Sequence, residues 1–277
     1  MFKSGSSGLA LLLTILSLLV FVFFAFMGLE YLLEGNHLVA VLICLGGAGL
    51  LGLCIWLACW GKSTRKKHKG FVIEIFSLLV AALLLYFGRT PFSHFIYVVD
   101  HKEEIDKLVI EARDNAGRID TAYLDYAEQR LKDYERILKK STNNDRHAVS
   151  LKTASLKRRL LPQDLSTLRE ERKAWLDGLR HVNVWNIATA RNLRYILTAS
   201  DDWIGQYAEV SSLIYEGEKC EPFSMTSDDI KSRYQQFTTP RSPDWMSTVA
   251  MLVCCLLILT YYIQCLRAKS RFQGGHA

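Results

Sequence analysis

"GKSTRKKHKG", residues 61–70, carries five Lys or Arg and no carboxylate, yet it stands between two of the most apolar stretches of the chain. Its meaning depends on what flanks it. Residues 9–33, 38–60, 71–87 and 246–265 are four apolar runs in which only Glu30 and Glu74 carry charge. Roughly 20 apolar residues span a bilayer core, and backbone inside hydrocarbon must satisfy its own hydrogen bonds, so each run is expected to be a transmembrane helix. The first continues through "LVFVFFAFMGLEYLL" without a small-residue cleavage site, which predicts a retained anchor rather than a secretory signal.

With those spans in place, the basic stretch becomes an orientation signal, because Lys and Arg concentrate in short cytoplasmic loops. Outside residues 89–244 the basic residues are Lys3, Lys62, Arg65, Lys66, Lys67, Lys69, Arg267, Lys269 and Arg271, against Glu30, Glu34 and Glu74. The long segment is electrically balanced, so the formal charge of +6 belongs to the loops and tails. All nine cations fall on one side if both termini and the 61–70 loop are cytoplasmic, while the first hairpin turn, "EGNH", holds no Lys or Arg. The expected domains are residues 1–88 with three spans, an extracytoplasmic segment 89–244, and residues 245–277 with a fourth span and a basic tail. The expected location is a cell membrane, more specifically a bacterial inner membrane. No aromatic residue interleaves the loop cations as a base-stacking platform requires, so the bilayer rather than a nucleic acid is their expected partner.

Within 89–244 a stripe at steps of three or four residues, from Ile105 through Leu108, Ala112, Ala116, Ile119, Tyr123, Ala127, Leu131 and Tyr134 to Leu138, predicts one long helix. Gly117 marks where it would break. Residues 148–161 read as a short basic helix, and Pro162 and Asp164 as the start of another with its stripe on Leu165, Leu168, Trp175 and Leu179. A further stripe runs from Ile187 to Ile214 with Ser200 as a possible new cap, and Ser227 opens a last short helix. Pro91, Pro162, Pro222, Pro240 and Pro243 are expected between helices. The fold class is therefore an all-α integral membrane protein: four transmembrane helices, with a helical bundle between the third and fourth.

The sequence contains no H-E-x-x-H, C-x-x-C, G-x-S-x-G or Walker pattern, and no catalytic residue, cofactor or metal is expected. His94, His101 and Glu104 have helical spacing, but "HKEE" is ordinary helix-start composition. Glu74 is the intramembrane acid, and its place one turn beyond Phe71 predicts snorkelling to the cytoplasmic surface; Thr14 and Ser17 are the only polar residues expected near its depth. Ala40, Cys44, Ala48 and Gly52, flanked by Gly46, Gly47 and Gly49, form a small-residue ridge expected to pack against the first span. Cys220, the one cysteine of the outer segment, has no internal disulfide partner.

The expected cytoplasmic pieces are too short for a kinase, cyclase or methyl-acceptor domain. Two readings follow: a non-enzymatic membrane subunit whose outer domain assembles with another membrane or periplasmic protein or with itself, or a homo-oligomeric pore with the outer helices as a vestibule. The order of loops resembles the tetraspanin layout in outline, without that family's cysteine-bearing outer motif, and no family is assigned.

Overall fold

The computed structural model describes residues 6–64, 67–141, 146–161, 165–179, 183–212 and 221–265, and among these the regular structure is entirely helical. In chain order the helices are α1 Ser6–Leu32, α2 His37–Ser63, α3 Lys67–Asp100, α4 Lys102–Ser141, α5 Arg146–Leu160, α6 Leu165–Gly178, α7 Thr189–Ser211, α8 Asp228–Thr238, α9 Trp245–Ile258 and α10 Thr260–Gln264. Two compact units result. One joins the residues up to Lys102 with those from Phe237 onward, and the other is Glu103–Gln236.

In the first unit α1, α2 and α3 are long and apolar enough to cross a membrane, which makes this a multi-pass membrane protein. Their outward faces are apolar too: Leu45, Phe76 and Leu79 are about two-thirds exposed, a surface suited to hydrocarbon and not to water. The α1–α2 turn uses left-handed backbone at Glu34 (φ 50°) and Gly35 (φ 79°), and the Asn36 side chain caps α2 by accepting from the Val39 N–H. Buried Glu30 meets His37 Nδ1 across this turn at 2.5 Å.

The third helix is longer than its apolar run. It continues past residue 87 to Asp100 with Pro91 inside it, and the second compact unit begins at Glu103. Proline costs a helix one N–H and normally marks a boundary, but packing against neighbouring helices offsets that loss in membrane-spanning segments. Here the neighbour is α1. Phe24 stacks on Phe92 (5.4 Å between centroids) and meets Phe95 edge-on (5.3 Å), while Phe21 stacks on Phe92 at 5.6 Å.

Ala40 at the start of the α2 small-residue ridge is fully buried, but the glycines of the ridge and its flanks do not make the close contact expected of them. A Cβ added at Gly46, Gly47, Gly49 or Gly52 meets nothing within 4 Å. The glycines that do permit close approach lie elsewhere. A Cβ at Gly28 would sit 1.8 Å from the Pro91 carbonyl oxygen, and one at Gly88 would sit 2.5 Å from the Phe21 ring. A Cβ at Gly61 would lie 2.7 Å from the Gly70 carbonyl oxygen, and the converse distance is 2.5 Å. The two glycines bracketing the basic loop therefore bring α2 and α3 together backbone to backbone.

At the C-terminal end, α9 and α10 pack on α1, and the chain is interrupted between them at Leu259. The interruption has an identifiable cause. The Thr14 hydroxyl accepts from the Tyr261 N–H (3.1 Å) and donates to the Leu257 carbonyl (3.4 Å), two groups that a regular helix pairs with each other.

In the second unit α4 runs unbroken past Gly117 and buries Ile105, Leu108, Ala112, Ala116, Ile119, Tyr123, Ala127, Tyr134 and Leu138, nearly the whole predicted stripe. Its 40 residues reach about 60 Å at 1.5 Å each. Likewise α7 is continuous through Ser200, whose hydroxyl donates to the Ile196 carbonyl instead of capping a new helix. The second short stripe is corrected: Leu168 and Trp175 are more than a third exposed, and α6 buries Arg172 and Leu176. Pro162, Asp164 and Cys220 lie outside the described residues.

Candidate functional site

Three groups of polar side chains are held by these elements, two in the membrane unit and one in the helical unit.

The first forms beside the Gly61–Gly70 contact. Because α2 and α3 approach so closely there, Glu74 one turn further along α3 is drawn inside and is only 4 % exposed. It does not snorkel. Tyr262 of α10 donates its hydroxyl to Glu74 Oε1 at 2.6 Å, while Lys62 of α2 donates to the Tyr262 carbonyl at 2.9 Å and holds its ammonium 4.1 Å from the centre of the Tyr262 ring. Cation, ring and carboxylate thus tie α2, α3 and α10 together at one end of the unit. Thr14 is engaged at the α9–α10 interruption, and the Ser17 carbonyl faces Cys254 Sγ at 3.5 Å. Glu74 takes as a partner Tyr262, which lies 188 residues away in sequence.

The second lies at the other end of α3. His94 is 1 % exposed, and its Nε2 donates to the Phe237 carbonyl at 2.7 Å. That bond fixes the tautomer, leaving Nδ1 with a lone pair. Among the described residues Nδ1 has no hydrogen-bond partner. His94 lines a cavity of about 420 Å³ together with Ser93, Tyr97, Asp100, Arg241 and Ser242. Ser93 is spent on Ser247 of α9 (2.7 Å), and Asp244 caps α9 by accepting from the Ser247 hydroxyl and from the Ser247 N–H (2.9 Å), which together hold its carboxyl below the usual range. The Arg241 guanidinium lies 4.5 Å from the Tyr97 ring centre, with no ion pair among the described residues. His101 donates from Nδ1 to the Tyr97 carbonyl at 2.9 Å, so His94 and His101 are each bound to backbone. Among the described residues no three His, Cys, Asp or Glu are grouped as metal ligands.

The third is the polar centre of the helical unit. Asp120 of α4 accepts from Arg172 of α6 (2.5 Å) and from the Tyr207 hydroxyl of α7 (2.7 Å). Arg172 also reaches Gln206 Oε1 at 3.0 Å and lies 4.7 Å from the Trp203 ring centre. Tyr207 stacks on Tyr123 with centroids 3.9 Å apart, and Tyr123 donates to the Leu160 carbonyl at 2.7 Å. Burial pushes the Tyr123 phenol up to about 12, and burial together with its bond to Asp120 raises that of Tyr207. Asp120, Arg172 and both phenols are thus engaged with one another or with backbone, an arrangement suited to fixing three helices in register.

Among these residues Tyr262, Arg172 and Arg241 carry no sequence signal that marks them. An Arg within "REERK" reads as solvent-facing, and the partner of Arg172, Asp120, is 52 residues earlier. No family model, no curated protein and no solved structure matches the chain.

Proposed function

We propose that this protein is a non-enzymatic, four-span subunit of a cell membrane, specifically a bacterial inner membrane. Its N- and C-termini are cytoplasmic, and its Glu103–Gln236 unit lies outside the cytoplasm, docking another membrane or periplasmic protein. Support for the fourth span comes from α9 and α10, apolar, packed on α1, and exposing Leu252, Val253 and Leu256 by half or more. Support for the orientation comes from the cations of the 61–70 loop and of both tails.

The observation that carries the docking role is the face of α5. Its sequence, "RHAVSLKTASLKRRL", holds five cations and no carboxylate while the rest of the unit is net acidic, and Arg146, Lys157, Arg158 and Arg159 are exposed with no ion pair among the described residues. Beside it a groove of about 760 Å³ between α4 and α5 is lined by Glu135, Lys139, Arg146, Ser150, Thr153 and Lys157, of which Glu135 and Lys139 pair with each other at 2.7 Å. Unpaired surface cations cost little alone and gain when an acidic surface meets them, so the partner is expected to present carboxylates to α5.

Two measurements test this. Reporter fusions at Gln235 and Ser63 should give extracytoplasmic and cytoplasmic signals respectively, and a cytoplasmic signal at Gln235 overturns the orientation. Cross-linking in whole membranes should capture a stoichiometric partner through α5, and Arg158→Glu with Arg159→Glu should abolish capture without altering the melting of the chain. Ion conductance by the purified protein in planar bilayers would instead favour the pore reading.

A further inference from the structure

We infer that the cavity beside His94 binds a phosphoethanolamine group, its phosphate on Arg241 and its ammonium directed to His94 Nδ1 and Asp100. This rests on the reading above that α3 and α9 cross the bilayer.

The unsatisfied groups of the cavity define the ligand. Arg241 supplies an exposed guanidinium with no ion pair among the described residues, already steadied against Tyr97, and a planar fork of N–H donors is well matched to phosphate. His94 supplies the opposite requirement. Its Nε2–H is committed to the Phe237 carbonyl, so Nδ1 is an acceptor, and a side chain buried this deeply without a partner calls for a donor from outside the protein. Asp100, whose carboxylate is largely exposed and 3.9 Å from His101, adds negative charge on the same wall. A purely anionic ligand leaves Nδ1 unmet and faces that carboxylate. A purely cationic one faces Arg241. A zwitterion carrying both a phosphate and N–H donors satisfies all three.

Position selects the same class. The large exposed apolar side chains of α3 end at Tyr86 and Phe87, with Ser93, His94 and Asp100 following. On α9 the cavity adjoins Met246, which with Trp245 is more than two-thirds exposed at the start of an apolar helix. Exposed apolar surface giving way to charge is where headgroups lie, and Trp is the residue characteristic of that boundary.

The full chain should be reconstituted into nanodiscs of equal phosphatidylethanolamine, phosphatidylcholine and phosphatidylglycerol, and the lipid retained on extraction counted by native mass spectrometry. Phosphatidylcholine has the same charges but no N–H, and phosphatidylglycerol lacks the ammonium, so phosphatidylethanolamine should be enriched roughly tenfold over either, the scale of one charge-assisted hydrogen bond. Arg241→Gln and Asp100→Asn should each return the ratio towards that of the bulk bilayer while leaving thermal unfolding unchanged. Displacement by soluble glycerophosphoethanolamine would assign the group to a ligand from solution, and retention against it to bilayer lipid; either supports the site. Equal retention of the three lipids, or enrichment that survives both substitutions, overturns it. A chain that enters no bilayer overturns the membrane reading as well, whereas one that inserts without preference overturns this inference alone.

Discussion

Gly28 lies against the backbone of Pro91 so closely that a methyl group at position 28 would stand 1.8 Å from the Pro91 carbonyl oxygen. The obstacle is main chain and has no rotamer through which to yield. Gly28→Ala should therefore force α1 away from α3 and destabilise the membrane unit by at least ~1–3 kcal/mol, the usual cost of overpacking. Gly47→Ala, where an added Cβ meets nothing, should melt like the parent. Thermal unfolding in detergent compares the two, and equal losses would show that the α1–α3 contact is not the tight one.

The Asp120–Arg172 pair should behave as a buried ion pair. Both residues are under a tenth exposed, so Asp120→Asn or Arg172→Met alone leaves one buried charge unmatched and should cost about 3–5 kcal/mol. The double variant should lose less than the sum of the two. Denaturant unfolding of all four proteins gives the coupling energy, and simple additivity would contradict the pairing.

Alkali should loosen the helical unit through its buried phenols. Tyr123 is raised by burial from 10.0 to about 12, so below pH 10 folded and unfolded chains both hold the proton and its contribution is intact. Between about 10 and 12 the unfolded chain loses the proton first, and stability falls as pH rises. The raised Tyr207 adds in the same direction. Tyr123→Phe should flatten this alkaline limb while losing about 1 kcal/mol near neutrality with the bond to the Leu160 carbonyl. Tyrosinate absorbance recorded alongside circular dichroism follows both effects, and an unchanged alkaline limb would remove Tyr123 from the account.

Thr14→Val keeps the shape of the side chain and removes the hydroxyl that serves both Tyr261 and Leu257. The expected loss is about 1–2 kcal/mol, two modest hydrogen bonds at an interhelical contact. Tyr262→Phe should cost more than Glu74→Gln, because glutamine retains an oxygen that can accept from the Tyr262 hydroxyl whereas phenylalanine offers nothing to Glu74 Oε1. The melting temperatures of the three variants rank these effects, and the reverse order for the last two would refute the assigned donor.

The three long apolar helices and the α4 stripe were legible because each is a local pattern, a run of composition or a period along one helix. What the sequence could not supply was the identity of partners brought together by folding. Glu74 near a helix end reads as an interfacial acid until Tyr262 is placed beside it. Gly46, Gly47, Gly49 and Gly52 look like part of a packing ridge by spacing alone, yet the close backbone approaches are made at Gly28, Gly61 and Gly70, whose opposing backbones lie on other helices. Pro91 is a stop signal in water, and α1 is what makes it tolerable inside α3. Arg172 is hidden for the same reason: its neighbours along the chain are all charged, and the carboxylate that permits its burial belongs to α4.

The membrane unit is discontinuous in sequence, with all of Glu103–Gln236 translated between α3 and α9. At ~5–20 residues per second a ribosome needs on the order of ten seconds for that stretch. Throughout this interval α1, α2 and α3 are already made while Tyr262, the Thr14-bound backbone of α10 and the Ser93 partner on α9 do not yet exist. Glu74 therefore waits in a half-built assembly, and the nascent chain must either shelter that carboxylate in the insertion machinery or leave it hydrated until the last segment arrives.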